Sequence, residues 1–158
     1  MEHEVWQMFR VYLDQKGQHE LIQRFINETP QFPFCFNQYF GAPNGEKDHI
    51  QLRFPISQRE NAEAYLKTGN DLYTYELFDW KEHPATIINM QLATKIGLVF
   101  LKETGIEMRT TPMQMTEFLH YFLNILNYTY FDEEELALTI RNFWKTRRDL
   151  TREFAGSS

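Results

Sequence analysis

From Val5 to Leu13 the chain alternates, with Val5, Phe9, Val11 and Leu13 on one side and Trp6, Met8, Arg10 and Tyr12 on the other. A period of two in β-branched and aromatic residues predicts a strand. Gln15-Lys16-Gly17 reads as a turn. Leu21, Ile22, Phe25 and Ile26 then recur at helical spacing and predict a short amphipathic helix from His19 to Glu28. Pro30 and Pro33 end it, since a proline removes a backbone donor and restricts the residue before it. Phe34 to Phe40 is a second strand. Asn44-Gly45 marks a hairpin turn inside a loop longer than the tight two-residue kind. The return strand, His49 to Phe54, has the cleanest alternation in the chain: Ile50, Leu52 and Phe54 point one way, His49, Gln51 and Arg53 the other. Ser57 and Glu60 have the spacing of a capping box for a helix running to about Lys67 and stopping at Gly69. Leu72 to Trp80 is a fourth, aromatic-rich strand.

After Trp80 the period changes from two to that of a helix. His83-Pro84 opens a helix continuing to about Glu103, ahead of Gly105. Thr111 and Gln114 form a capping box for a helix through about Asn127. Asp132 caps a third helix whose acidic first turn and basic end both suit the helix dipole. The expected fold class is therefore α+β: a ferredoxin-like βαββαβ antiparallel sheet followed by about three C-terminal helices. The expected organisation is one domain over residues 1–154, with a sheet half at 1–82 and a helical half at 83–154. Residues 155–158 read as a flexible tail or cloning remnant.

Composition narrows the classes. With 42% hydrophobic residues, 16% aromatics and 14 Phe in 158 residues, the chain can bury a core. The net charge of −6 argues against generic nucleic-acid binding, which requires a dominant positive field. The third strand also lacks the glycine and aromatics of an RNA-recognition motif. One cysteine, Cys35, excludes an intramolecular disulfide and fits a reducing compartment. Charges break the apolar stretches, and Met1-Glu2-His3-Glu4 lacks a basic leader, so the expected location is the cytoplasm with no membrane partner.

The five histidines (His3, His19, His49, His83 and His120) show no metal-ligand spacing, and no nucleophile elbow or glycine-rich phosphate loop occurs. No cofactor or metal is expected. Cys35, between Phe34 and Phe36, reads as a buried thiol. The polar side of the third strand is the most informative feature. An open antiparallel face is polar by default, but His49 and Arg53 are unusual choices for solubility alone. They are the candidate catalytic pair, His49 as proton donor and Arg53 as anion contact. Gln51, Tyr73 and Glu76 are candidate ligand contacts. Tyr73 and Glu76, three residues apart on one strand, face opposite sides.

Taken together, Trp6 on the first strand, Phe34-Cys35-Phe36-Asn37-Gln38-Tyr39 on the second, His49-Ile50-Gln51-Leu52-Arg53-Phe54 on the third and Tyr73-Thr74-Tyr75-Glu76 before a long helix form an ordered series. It resembles the C-terminal elimination and cyclisation domain of lantibiotic dehydratases and thiopeptide synthases. Gln51 stands where that family has an arginine, and Leu77-Phe78-Asp79-Trp80 replaces its Arg-Tyr-Gly-Gly. The resemblance implies an enzyme or accessory domain of peptide natural-product maturation, with His49 and Arg53 contacting a leader peptide or a leaving glutamyl group. The competing expectation, ranked first, is a non-catalytic protein or peptide interaction module of an intracellular pathway, forming a homodimer through its surplus aromatics. Whether the chain is an enzyme is left open by its residues.

Overall fold

The computed structural model of the chain describes residues 4–41, 45–70, 72–105 and 111–156, with side chains as far as 148. The elements run β1 (Trp6–Tyr12), α1 (Gln15–Asn27), β2 (Cys35–Tyr39), β3 (His49–Pro55), a 3-10 turn (Ile56–Gln58), α2 (Arg59–Gly69), β4 (Thr74–Trp80), α3 (Pro84–Thr104), α4 (Pro112–Ile125) and α5 (Tyr130–Gly156). The chain is α+β and divides into two compact units, Met1–Met108 and Arg109–Ser158. Thus α3 belongs with the sheet rather than with the later helices.

In the first unit the four strands form one antiparallel sheet in the order β2-β3-β1-β4. The alternation read from the sequence sorts its two faces. Phe9 and Val11 of β1 and Ile50, Leu52 and Phe54 of β3 meet Leu21, Ile22 and Phe25 of α1 and Ala62 and Leu66 of α2 in one buried cluster. Full burial of each large side chain contributes roughly 1.5–3 kcal/mol. Gln18 is also buried. Its amide donates to the Leu13 carbonyl at 3.0 Å and the Tyr39 carbonyl at 2.9 Å, fastening the start of α1 to the end of β2. On the β2 edge, the backbone N–H of Phe36 donates to Thr94 Oγ1 of α3 at 3.3 Å. That bond satisfies an edge donor that would otherwise lack a partner.

Several boundaries differ from expectation for local reasons. The Gln15-Lys16-Gly17 segment is the first turn of α1, not a turn before it, because the Asp14 carboxylate accepts the Gly17 N–H at 2.8 Å and caps the helix. The Ser57–Glu60 capping box does not form. Glu4 takes both the Ser57 hydroxyl and its N–H, and a 3-10 turn precedes α2. The Asn44 half of the Asn-Gly turn lies outside the described residues. His83 caps α3, its Nδ1 accepting the Ala85 N–H at 3.1 Å. The apolar run of α3 is longer than expected: over Pro84–Thr104 the helix is long and apolar enough to cross a membrane by length and composition. One side of it nevertheless packs on the protein, since Thr94 bonds β2 and Leu98 and Leu101 pack against the core.

The second unit is a helical hairpin. The Thr111–Gln114 capping box of α4 forms as read from the sequence. The helix closes at Asn127, which holds the left-handed conformation at φ 66°, where asparagine is tolerated better than most residues. The cap of α5 is Thr129, not Asp132. The Asp132 carboxylate accepts the Thr129 N–H at 2.8 Å while the Asp132 N–H donates to Thr129 Oγ1 at 3.3 Å. The Thr129 N–H and then the Thr129 hydroxyl, both donating to the carboxylate, hold the Asp132 carboxyl below its ordinary pKa. His120 of α4 meets Glu133 of α5 at 2.9 Å and stacks on Tyr130 with ring centroids 5.7 Å apart. α5 continues through Gly156, so Ala155 and Gly156 of the expected tail are helical, and Ser157 and Ser158 lie outside the described residues.

Candidate functional site

The sheet face opposite the core brings together the residues singled out on β3. The register sets Tyr39 across from His49, Asn37 across from Gln51, and Cys35 across from Arg53. On the other flank Tyr12 lies opposite His49, Arg10 opposite Gln51, and Met8 opposite Arg53. Directly paired residues share a face, so this is one continuous patch.

Within the patch the polar groups answer one another in a chain. His49 Nδ1 lies 2.7 Å from the Lys47 carbonyl, which can only accept, so Nδ1 carries the proton. His49 Nε2 lies 3.3 Å from the Gln51 amide nitrogen. The Gln51 oxygen in turn accepts from Arg53 Nη2, and Arg53 Nη1 donates to Asn37 Oδ1. The needs of the guanidinium thus fix the Gln51 amide, and that amide makes Nε2 of His49 an acceptor. The tautomer follows from this hydrogen-bond logic.

Aromatic rings enclose the chain. Tyr39 stacks on His49 with centroids 4.9 Å apart and 11° between planes, and Tyr12 meets the imidazole edge-on at 6.1 Å. Arg53 lies over Trp80 at 4.9 Å from the ring centroid, and Trp80 meets Trp6 edge-on at 6.1 Å. As a result His49 is 0% exposed and Arg53 6%. Arg53 Nε has no hydrogen-bond partner among the described residues. Cys35 is fully buried beside Arg53. Burial pushes its thiol up to about 11, with the guanidinium pulling the other way. A thiol held protonated is a poor nucleophile.

The remaining sequence candidates separate as their spacing required. Glu76 sits on the patch side, opposite Arg10, and accepts from the Tyr12 hydroxyl at 3.0 Å. Tyr73 precedes β4, packs against the core and is raised in pKa by burial. Neither touches the His49–Arg53 chain. Asn37, Tyr39 and Trp80 belong to the patch and were not singled out from sequence. Their signal was available in part, because Asn37 and Tyr39 share a strand parity with Cys35.

A separate cleft of about 760 Å³ lies between α1 and α2, lined in part by Arg24, Asn27, Phe32, Asn61, Tyr65 and Thr68. Arg24 lies 3.9 Å over the Tyr65 ring and donates to Thr68 at 2.9 Å and Glu28 at 3.4 Å. Burial pushes the Tyr65 hydroxyl up to about 12. Among the described residues no three His, Cys, Asp or Glu side chains converge as a metal site would require.

Apolar surface is concentrated on the helices. Along α3, Ile88, Leu92, Ile96 and Val99 follow one another at three- and four-residue steps, and all are exposed, Val99 to 62%. Thr94, Leu98 and Leu101 occupy the other arc of the same helix and face the protein. Comparison with family models, with curated proteins and with solved structures finds no match to the chain.

Proposed function

We propose that the chain is a non-catalytic module that binds another protein or peptide, with its sheet half in the ferredoxin-like class that its element and strand orders support. The observation that carries this reading is the outward stripe of α3. A helix apolar on two sides normally has both covered, one by its own domain and the other by something else. The state of the sheet patch supports it as well. His49 and Arg53 face protein acceptors, donors and rings, so a substrate would have to displace Gln51 and Asn37 to reach them. In the competing reading, a role in peptide natural-product maturation, those two residues do the binding and the chemistry.

A photo-reactive residue at Leu92, compared with one at Glu63 on α2, tests the reading in cells. The expected result is a discrete protein adduct from position 92, absent from position 63, and unchanged when Arg53 is replaced by Lys. No adduct at position 92, or one lost with Arg53→Lys, would overturn it in favour of the sheet face.

A further inference from the structure

We propose that the second unit is a self-association element, in which two copies of the α4–α5 hairpin form a four-helix bundle with the α5 helices antiparallel. The proposal rests on the interaction reading above but uses a different surface. None of residues 111–148 is buried. Two helices in this state have no core of their own, although the sequence supplies one. Met113, Tyr121, Ile125, Phe143 and Trp144 are all at least half exposed, Ile125 to 77%. Helices in proteins gain most of their stability from packing an apolar face against a partner.

The charge distribution along α5 selects the occupant. Its first turns carry Asp132, Glu133, Glu134 and Glu135, while Arg141, Lys145, Arg147 and Arg148 follow further along it. Each end complements the other end of the same helix. A parallel copy sets acid against acid and base against base, whereas an antiparallel copy sets acid against base at both ends. An unrelated partner would need to reproduce that asymmetry; a second copy does so by symmetry.

The apolar positions fix the register. Leu136, Ile140, Phe143 and Trp144 recur at four, seven and eight residues, which at 3.6 residues per turn confines them to about 100° of arc. A twofold axis at Ile140 sets that side chain against its own copy and Leu136 against Trp144, each four residues from the axis. The same axis brings Glu134 level with the Lys145–Arg148 stretch of the other copy. Short-looped hairpins packing pairwise in this way build ordinary four-helix bundles.

The test is the mass of the full chain in solution by light scattering, for wild type, Ile140→Lys, and two charge variants, Glu134→Lys/Glu135→Lys and Lys145→Glu/Arg148→Glu. Ile140 is 47% exposed, so the lysine leaves the single chain able to fold, and circular dichroism checks that it has. The expected wild-type mass is twice the 19.1 kDa of one chain. Ile140→Lys should run at the single mass. Each charge variant should weaken dimerisation at least tenfold alone, and the two mixed should recover it as a heterodimer. A wild-type mass of one chain overturns the self-association while leaving the α3 reading to its own crosslinking test. A doubled mass unaffected by Ile140→Lys, or mixed charge variants that fail to pair, overturns the α5 interface.

Discussion

Tyr39 lies flat against His49, with ring centroids 4.9 Å apart and planes 11° from parallel. The stack closes one side of an imidazole already held through Nδ1 by the Lys47 carbonyl and approached at Nε2 by Gln51. Arg53 stands at the other end of that chain and sets the Gln51 amide. Replacing Arg53 with Ala leaves the oxygens of Gln51 and Asn37 without their charged donor and uncovers Trp80. Loss of a buried, charge-assisted network of this kind costs about 2–4 kcal/mol. The urea midpoint should fall accordingly, and the His49 ring signals in an NMR spectrum should shift although His49 is untouched. Unchanged stability together with lost peptide processing would instead assign Arg53 to a substrate.

What the sequence made legible follows from range. Strand parity sorted the sheet faces correctly, because a period of two is a property of seven consecutive residues. It brought His49, Gln51 and Arg53 to one face but could not supply Asn37 or Trp80, which arrive from other strands through register. It also could not reveal that the patch is closed, since burial of His49 depends on Tyr39 and Tyr12 from both flanks. The failed cap at Ser57 has the same origin. The local Ser57–Glu60 spacing is right, but Glu4, 53 residues away, takes the serine first. Gln18 is a further case: a glutamine on a helix reads as solvent-facing until the two carbonyls it bridges are in place.

Gly69 and Arg24 are coupled sterically. A Cβ on Gly69 would lie 2.0 Å from Arg24 Nη1, while the same guanidinium is held over Tyr65 and bonded to Thr68. Alanine favours a helix over glycine by about 1 kcal/mol, so the two effects oppose each other. Gly69→Ala should therefore be nearly neutral or destabilising in the wild type, yet stabilising by about 0.5–1 kcal/mol once Arg24 is Ala. A double-mutant cycle in chemical denaturation measures the difference. Equal effects in both backgrounds would mean that Arg24 moves aside freely.

Thr94 joins α3 to the sheet edge through one side-chain bond. Thr94→Val keeps the shape of the side chain and removes the acceptor, leaving the Phe36 N–H without its partner. The expected cost is about 1–3 kcal/mol. Hydrogen exchange should show the Phe36 amide opening faster while the amides of β1 keep their protection. Uniform loss of protection across the sheet would show instead that α3 is required for the whole unit to fold.

Alkaline pH should loosen the fold through its buried acids. The Cys35 thiol is raised from 9.0 to about 11, and the Tyr65 hydroxyl from 10.0 to about 12. The native state therefore holds these protons more tightly than the unfolded chain does. Stability from Cys35 is fully present below pH 9 and is lost as pH rises through 11; that from Tyr65 is present below pH 10 and lost through 12. For the thiol alone the loss is on the order of 2 kcal/mol by the top of its window. Urea midpoints should stay level up to pH 9 and then fall toward pH 11, and Cys35→Ala should make that fall shallower. Over the same range the native thiol should resist alkylation until the chain unfolds. A midpoint that stays level through pH 11, or a thiol that reacts at pH 8 as fast as free cysteine, would show that Cys35 is open to solvent beside Arg53.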